Sequence, residues 1–410
     1  MSVDLRTRRD DDVTPVTAMD FFSQQLPEAL ERSRDLVEPG AAHLRLRPLS
    51  VDVEGECWSL SRPQEAVRVE RGGASDGAAL RLDCEALTEL VHDRVTPMTF
   101  FTAGRLDMPS GGLPDFLNWW LVLRSALDER PIHTPGAVTF RESDGSPLDL
   151  GRSFRMDDPI EAMSHFLHEA GFLHLQGVFD PGLMARISED MDRAAPSYAE
   201  GDARSWWATT ADGTRRLVRM QGFDERSEGA AALLRDERFL GLGAIPGDGH
   251  SHQGMSGNRI EALFKPIGVT AGISDVPWHK DCSLGRHSYE CCNLTVGISV
   301  TGADATSGQL RVVAGSHRAL IWPAMIQPAD NDLPELDLPT GTGDVTVHLS
   351  CTLHMAQPPV LRERRVMYTS FRLPALASAA RSEALARLQA VREGAYTTVS
   401  QEPADPVRPS

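Results

Sequence analysis

Between residues 260 and 373 the chain alternates short apolar segments with Gly, Pro and Asp turns. That rhythm restricts the fold more than any other feature. Segments 260–264, 291–300, 308–314, 344–353 and 365–373 read as strands. They show neither a heptad repeat nor the strand–helix alternation of a parallel sheet, which leaves an antiparallel sandwich or barrel of the jelly-roll kind. Two helices precede it, at 159–170 and 181–194, with the apolar strand Gly171-Phe-Leu-His-Leu between them. The pair Trp206-Trp207, with segment 217–223, reads as core or as the lining of a substrate pocket.

The first third carries a different pattern. Phe21, Phe22, Leu26, Leu30 and Leu36 recur near helical spacing, predicting an amphipathic helix over 17–37. Segments 43–49, 55–62, 66–71 and 78–82 read as strands, separated by turns holding Pro63 and Gly72-Gly73. Helices are expected at 85–93 and 114–129. The whole is a two-domain α+β chain: residues 1–15 disordered, an α+β unit over 16–132, and a jelly-roll domain over 153–395 with flanking helices. A length of 410 residues accommodates this at about 150 residues per domain.

Charge excludes several functions. Lys+Arg number 41 against 58 Asp+Glu, a net charge of −17, which repels nucleic-acid backbones and anionic membranes. No apolar run approaches the roughly 20 residues of a membrane span, and the charged start MSVDLRTRRDDD is no secretory signal. The six cysteines contain no CxxC pair and read as free thiols of a cytoplasmic protein. Among them, Cys282, Cys291 and Cys292 lack a second pair at zinc-ligand spacing.

The chemistry concentrates in Val276-Pro-Trp-His-Lys-Asp281. In an extended chain His279 and Asp281 point to one face and Lys280 to the other. An imidazole and a carboxylate so placed can fill two adjacent positions of a divalent metal. About 70 residues later, His354 ends the alternating segment that begins at Asp344. A jelly roll can bring that strand against the first. Two His and one Asp on one face form the facial triad suited to Fe(II), with three positions left for a chelating co-substrate and O2. Arg365 lies eleven residues beyond His354, after the turn at Gln357-Pro-Pro359, and its planar fork suits a carboxylate. Arg362 and Arg364 are neighbouring alternatives. His250 and His252 read as part of a Gly-rich loop, and Asp275 and Asp344 as turn residues.

Residues 159–374 resemble the phytanoyl-CoA dioxygenase family of Fe(II)/2-oxoglutarate oxygenases. The resemblance lies in Phe264-Lys265-Pro266, Pro-Trp-His279-Lys-Asp281, the run from Gly308 to His317, and Gly343-Asp344 leading to His354. It also covers Arg365 and the front segment AGFLHLQGVFDPGLM over 170–184. It implies a double-stranded β-helix, iron on His279, Asp281 and His354, and the 2-oxoglutarate carboxylate on Arg365. Lys280 stands where the family commonly has Gln, Ala314 where it has Pro, and Ala356 where a hydroxyl often assists the co-substrate. Retention of Asp281 favours hydroxylation over halogenation. Residues 17–130 resemble the sterol-carrier-protein-2 family through MTFFTAGRLDM (98–108) and LRLDCEALTELV (80–91). That resemblance implies an apolar tunnel, or else a diverged relative serving as structural support.

The expected function is an Fe(II)/2-oxoglutarate-dependent hydroxylase acting on a hydrophobic small molecule such as a lipid, terpenoid, steroid or other natural-product intermediate. An acyl-CoA would need a basic patch, for which Arg311, Arg318, Arg362, Arg364 and Arg365 are the obvious supply. Two other readings stay open: a lipid or sterol carrier with an inactive jelly roll, and a cupin-like metalloenzyme that does not use 2-oxoglutarate.

Overall fold

The computed structural model describes residues 14–102, 104–252, 259–272, 274–281, 293–324 and 332–373. Residues 1–13, Cys282, Cys291, Cys292 and the residues after 373 lie outside these.

In the first unit the single helix expected over 17–37 is divided. It comprises α1 (Ala18–Asp20), a π-helical turn over Phe21–Gln25, α2 (Leu26–Arg32) and α3 (Arg34–Ala41). Five strands follow: β1 (Leu49–Val53), β2 (Glu56–Ser61), β3 (Arg68–Arg71), β4 (Ala78–Leu82) and β5 (Asp107–Ser110), in the order β3-β2-β1-β4-β5. Only the β1–β4 pairing is parallel. The strand expected at 43–49 begins instead at Leu49. Pro48 has no N–H for a ladder, and Leu44 and Leu46 pack on the core from outside the sheet, their N–H groups bonded to Ala41 O and Leu44 O. The Asp83 side chain caps α4 (Cys84–Val91) by accepting from the Ala86 N–H at 2.7 Å. Helix α5 (Pro97–Thr102) and then α6 (Leu113–Asp128) complete the unit. Phe21, Phe22, Leu49, Val51, Leu80, Phe116, Trp119 and Trp120 form its core between sheet and helices.

The second unit starts with α7 (Ile160–Ala170), β6 (Phe172–Leu175) and α8 (Pro181–Ala194). Its further strands are β7 (Ser205–Thr210), β8 (Arg215–Met220), β9 (Ser251–His252), β10 (Glu261–Lys265), β11 (Val269–Ala271), β12 (Asn293–Ser299), β13 (Leu310–Val313), β14 (Glu335–Leu338), β15 (Val345–Leu349), β16 (His354–Ala356) and β17 (Arg364–Arg372). The large sheet runs β11-β7-β8-β10-β17-β12-β15-β6, with β9 also pairing β17. The small sheet runs β14-β13-β16.

Both faces of the large sheet are buried, and they differ in character. One face presents Leu294, Val296, Ile298, Val345, Val347, Met367 and Phe371 to the apolar side chains of α7 and α8, among them Phe166, Leu167, Ile187 and Met191. Each fully buried Leu, Ile, Val, Phe or Met there contributes about 1.5–3 kcal/mol. The register places Thr295 opposite both His348 and Ser370, and Lys265 opposite Arg364, on the other face. The helices thus hold one side of the sheet while a polar interior forms on the other, facing the small sheet.

The strand expected over 344–353 stops at Leu349. Thr352 N–H closes a turn onto Leu349 O at 2.7 Å, and Leu353 N–H donates to Ser316 Oγ at 2.7 Å. The chain thereby crosses from one sheet to the other, and His354 opens β16 rather than ending β15. Gly171, the left-handed cap of α7 with φ 88°, makes the crossing fit. A Cβ there would lie 2.4 Å from His317 Nδ1 and 2.6 Å from Thr352 Oγ1. Among the described residues, no helix is long and apolar enough to cross a membrane.

Candidate metal centre

His279 and His354 are backbone neighbours. Each N–H donates to the other's carbonyl at 3.0 Å, so residue 279 extends the small sheet beyond β16. This places the two rings side by side, centroids 4.3 Å apart. Asp281 completes the group: its Oδ1 lies 3.2 Å from His279 Nε2 and 3.6 Å from His354 Nε2. The three residues expected from the sequence are therefore brought together.

The hydrogen bonds fix which ring nitrogens face inward. His279 Nδ1 lies 2.6 Å from Pro277 O and His354 Nδ1 lies 2.9 Å from Thr352 O. A carbonyl only accepts, so in both rings Nδ1 carries the hydrogen and the neutral Nε2 presents a lone pair. Two lone pairs and a carboxylate oxygen then converge, an arrangement that a cation stabilises. Ligands at right angles on a metal, each bonded at about 2.1 Å, stand about 3 Å apart, close to the spacing here. The donor set fits iron(II) by type as well, two imidazoles and one carboxylate on a single face.

Electrostatics prepare these groups. Burial alone would raise Asp281, but the imidazoles, His354 foremost, hold its carboxyl well below the usual range. Burial, reinforced by His348 and His279, holds His354 well below the ordinary histidine value. At neutral pH the pair stands as carboxylate and neutral imidazole, the forms a metal binds.

His348 was not singled out in the sequence. It is buried on β15, its Nε2 is 3.6 Å from Asp281 Oδ2, and its ring centroid is 4.2 Å from that of His354. Neither of its nitrogens has a hydrogen-bond partner among the described residues. Strand parity carried the signal, since residues 346 and 348 alternate with the apolar 345, 347 and 349. Thr295 was also missed. Its hydroxyl donates to Asp281 Oδ2 at 2.8 Å, holding the oxygen that faces away from His279 and His354. Thr295→Val is expected to weaken metal binding about 10- to 100-fold, the usual cost of losing a partner behind a ligand, read by anaerobic Co(II) titration.

The structure places the neighbouring arginines on opposite faces of the sheet. Arg365 points to the helix side of the sheet, where its guanidinium makes a bidentate pair with Asp192 of α8 at 2.7 and 2.8 Å and bonds Ser188 O at 2.7 Å. The reason is parity: adjacent residues of a strand face opposite ways. Arg364 points inward instead, is 4% exposed, and has Nε and Nη2 without hydrogen-bond partners among the described residues. Around it lie Lys265, which donates to Ser274 O, together with Asp275 and Arg219, the last paired with Glu261 at 3.2 Å. Burial disfavours charge on Lys265 and Asp275 alike, lowering the first and raising the second against their mutual attraction. Three cationic side chains thus face two carboxylates, and an incoming carboxylate would complement the excess. This buried cluster fits the distal end of a dicarboxylate.

The other candidates have structural roles. His250 bonds Asp248, and His252 Nε2 lies 2.7 Å from Thr369 Oγ1. Asp344 is a turn residue, accepting from the Gly341 and Gly177 N–H groups and from His174. Asp275 is not a turn residue but part of the buried cluster. Trp206 and Trp207 are half-buried on β7, Trp206 under the Arg219 guanidinium at 4.0 Å. Lys280, which differs from the family pattern, is fully buried and donates to Ser316 O at 2.7 Å, tying the ligand segment to the turn after β13.

A jelly roll with two imidazoles and a carboxylate on one face defines the architecture of a mononuclear non-haem iron oxygenase. Residues 167–362 match the family model for phytanoyl-CoA dioxygenase (PhyH), and this part of the chain is a domain of that family. It is a 2-oxoglutarate-dependent oxygenase, with Fe(II) as metal and 2-oxoglutarate as co-substrate. No curated protein matches the chain. Among solved structures, AviO1 from Streptomyces viridochromogenes Tue57 is 22% identical with a TM-score of 0.41, over 54% of this chain and 98% of that one. The non-heme alpha ketoglutarate dependent epimerase SnoN from nogalamycin biosynthesis is 17% identical with a TM-score of 0.40, over 52% and 82%. The carbocyclase SnoK from the same biosynthesis is 15% identical with a TM-score of 0.41, over 57% and 94%. Identities this low carry neither substrate nor reaction across.

Proposed function

We propose that the chain oxidises a C–H bond of a hydrophobic small molecule, by hydroxylation, with Fe(II) on His279, Asp281 and His354 and the distal carboxylate of 2-oxoglutarate on Arg364. The observation that carries this is the convergence of His279 Nε2, Asp281 Oδ1 and His354 Nε2 while both Nδ1 hydrogens are held by backbone carbonyls. Bound iron would supply oxygen activation coupled to decarboxylation of 2-oxoglutarate. The protein's part is placement. Pro277 O and Thr352 O orient the imidazoles, Thr295 orients the carboxylate, and Arg364 with Lys265 anchors the far end of the co-substrate. The apolar packing beneath the sheet keeps these positions fixed.

The basic residues support a natural-product intermediate over an acyl-CoA. Of the five arginines available for phosphate groups, Arg311 pairs with Asp337, Arg318 with Glu169, Arg362 with Asp304 and Arg365 with Asp192. The first unit, proposed over 16–132, supports a scaffold rather than a carrier. The space between its sheet and helices, lined by Phe21, Phe22, Val51, Leu80, Phe116 and Trp120, is about 20 Å³, room for little more than a water molecule. Anaerobic titration with Fe(II) and 2-oxoglutarate tests the reading. A weak visible charge-transfer band that requires both is expected, followed by substrate-dependent succinate once O2 and a hydrophobic candidate are admitted. Iron uptake without a band on adding 2-oxoglutarate would favour a cupin-like metalloenzyme instead.

A further inference from the structure

We propose that the first unit is a buttress for the metal-ligand segment, and that Asn118 and Trp322 are positioning residues for His279. This rests on the iron-site reading above.

Small-sheet residue 279 has His354 on one side. On its other side it makes an antiparallel bridge to Ala324, and the Lys280 N–H donates to Pro323 O at 3.0 Å. Segment 319–324 therefore covers what would be an open edge beside two of the three ligands. The back of that segment is embedded in the first unit. Leu320 is 3% exposed within the first unit's core, bridges Ile132, and accepts at its carbonyl from the His133 N–H at 3.1 Å. Trp322 packs on Met98, Leu113 and Leu117, and its indole N–H donates to Asn118 Oδ1 on α6 at 3.0 Å. From α6 to the ligand strand the path is one hydrogen bond, two residues and one backbone bridge.

An edge strand held on one side only is free to splay, whereas a metal site needs its ligands within about 0.5 Å of their working positions. The contact made by α6 supplies the missing side. The first unit therefore serves the reaction through the ligand segment, whatever else it binds.

The test uses the full-length protein carrying Asn118→Ala, Trp322→Phe, or both. Trp322→Phe keeps an aromatic ring on the apolar patch and removes only the donor, so it remains informative should Asn118→Ala fold poorly. In metal-free protein of wild-type circular dichroism, hydrogen exchange at 277–281 and 354–356 should accelerate by about 10-fold, with β12 and β15 unchanged. Anaerobic Co(II) affinity should fall by about 10-fold, within the range for groups that support a ligand. The double variant should lose no more than the larger single loss, because both substitutions cut one path. Wild-type exchange and wild-type Co(II) affinity in the folded variants would overturn the proposal. The exchange measurement needs no metal, so a wild-type protein that fails to bind iron would sink the oxygenase reading without deciding this one.

Discussion

His279→Ala and Asp281→Ala are each expected to abolish 2-oxoglutarate turnover while leaving the fold standing. Each substitution removes one of three converging donors. Losing a partner merely behind a ligand costs metal affinity 10- to 100-fold, so losing the ligand itself should exceed about 100-fold, and succinate formation should fall below detection at micromolar iron. The fold should persist because the apolar core lies on the opposite face of the large sheet, where Leu294, Val296, Ile298 and Met367 meet α7 and α8. Asp281 also has imidazoles on every side. Without it, burial still favours the neutral form of His354. The check is anaerobic Co(II) titration alongside succinate assay and thermal unfolding. Normal turnover in either folded variant would remove these residues from the metal.

How far the site could be read from sequence depended on how local each relation was. His279 and Asp281 were legible because extended backbone puts residues two apart on one face, whatever the rest of the chain does. His354 was harder. The segment from Asp344 alternates without interruption, and nothing local marks the turn at Leu349–Thr352 that carries the chain between sheets. That turn is set by distant partners, Gly171 and Ser316. Strands β7 and β8 were passed over because Trp, Arg and Thr alternate there with little apolar periodicity. Their pairing is stabilised by contacts such as Trp206 on Arg219. The docking of 319–324 on α6 left no sequence signal, since it joins residues about 200 positions apart. The helix over 17–37 was recognised by its apolar face, but its division at Ser33 follows from the Ser33 hydroxyl bonding Ala126 O on α6, again a distant contact.

Arg364→Ala should raise the 2-oxoglutarate requirement about 100-fold, and Arg365→Ala should not. The choice turns on parity, which a one-residue shift inverts for a whole strand. In the sequence, the turn at 357–363 conceals where that alternation begins. In the folded chain the pairing of Arg364 with Lys265 and of Arg365 with Phe264 decides it. Arg365 already has its carboxylate, Asp192, on a partly exposed surface, where an ion pair is worth at most about 1 kcal/mol. Its loss should lower the melting temperature by a few degrees and leave the co-substrate KM near wild type. Arg364 is buried beside Lys265, with two guanidinium nitrogens that have no hydrogen-bond partner among the described residues. A charge-assisted contact to a carboxylate there is worth about 3 kcal/mol, which is roughly 100-fold in affinity. Its removal should act mainly on the 2-oxoglutarate KM and leave iron or Co(II) binding alone, because the triad does not depend on it. Arg364→Lys should recover only part of the loss, as an ammonium keeps the charge without the planar fork. The comparison needs succinate formation measured across 2-oxoglutarate concentration in all three variants. A raised KM in Arg365→Ala with none in Arg364→Ala would return the assignment to the outer residue and place the co-substrate on the helix side of the sheet.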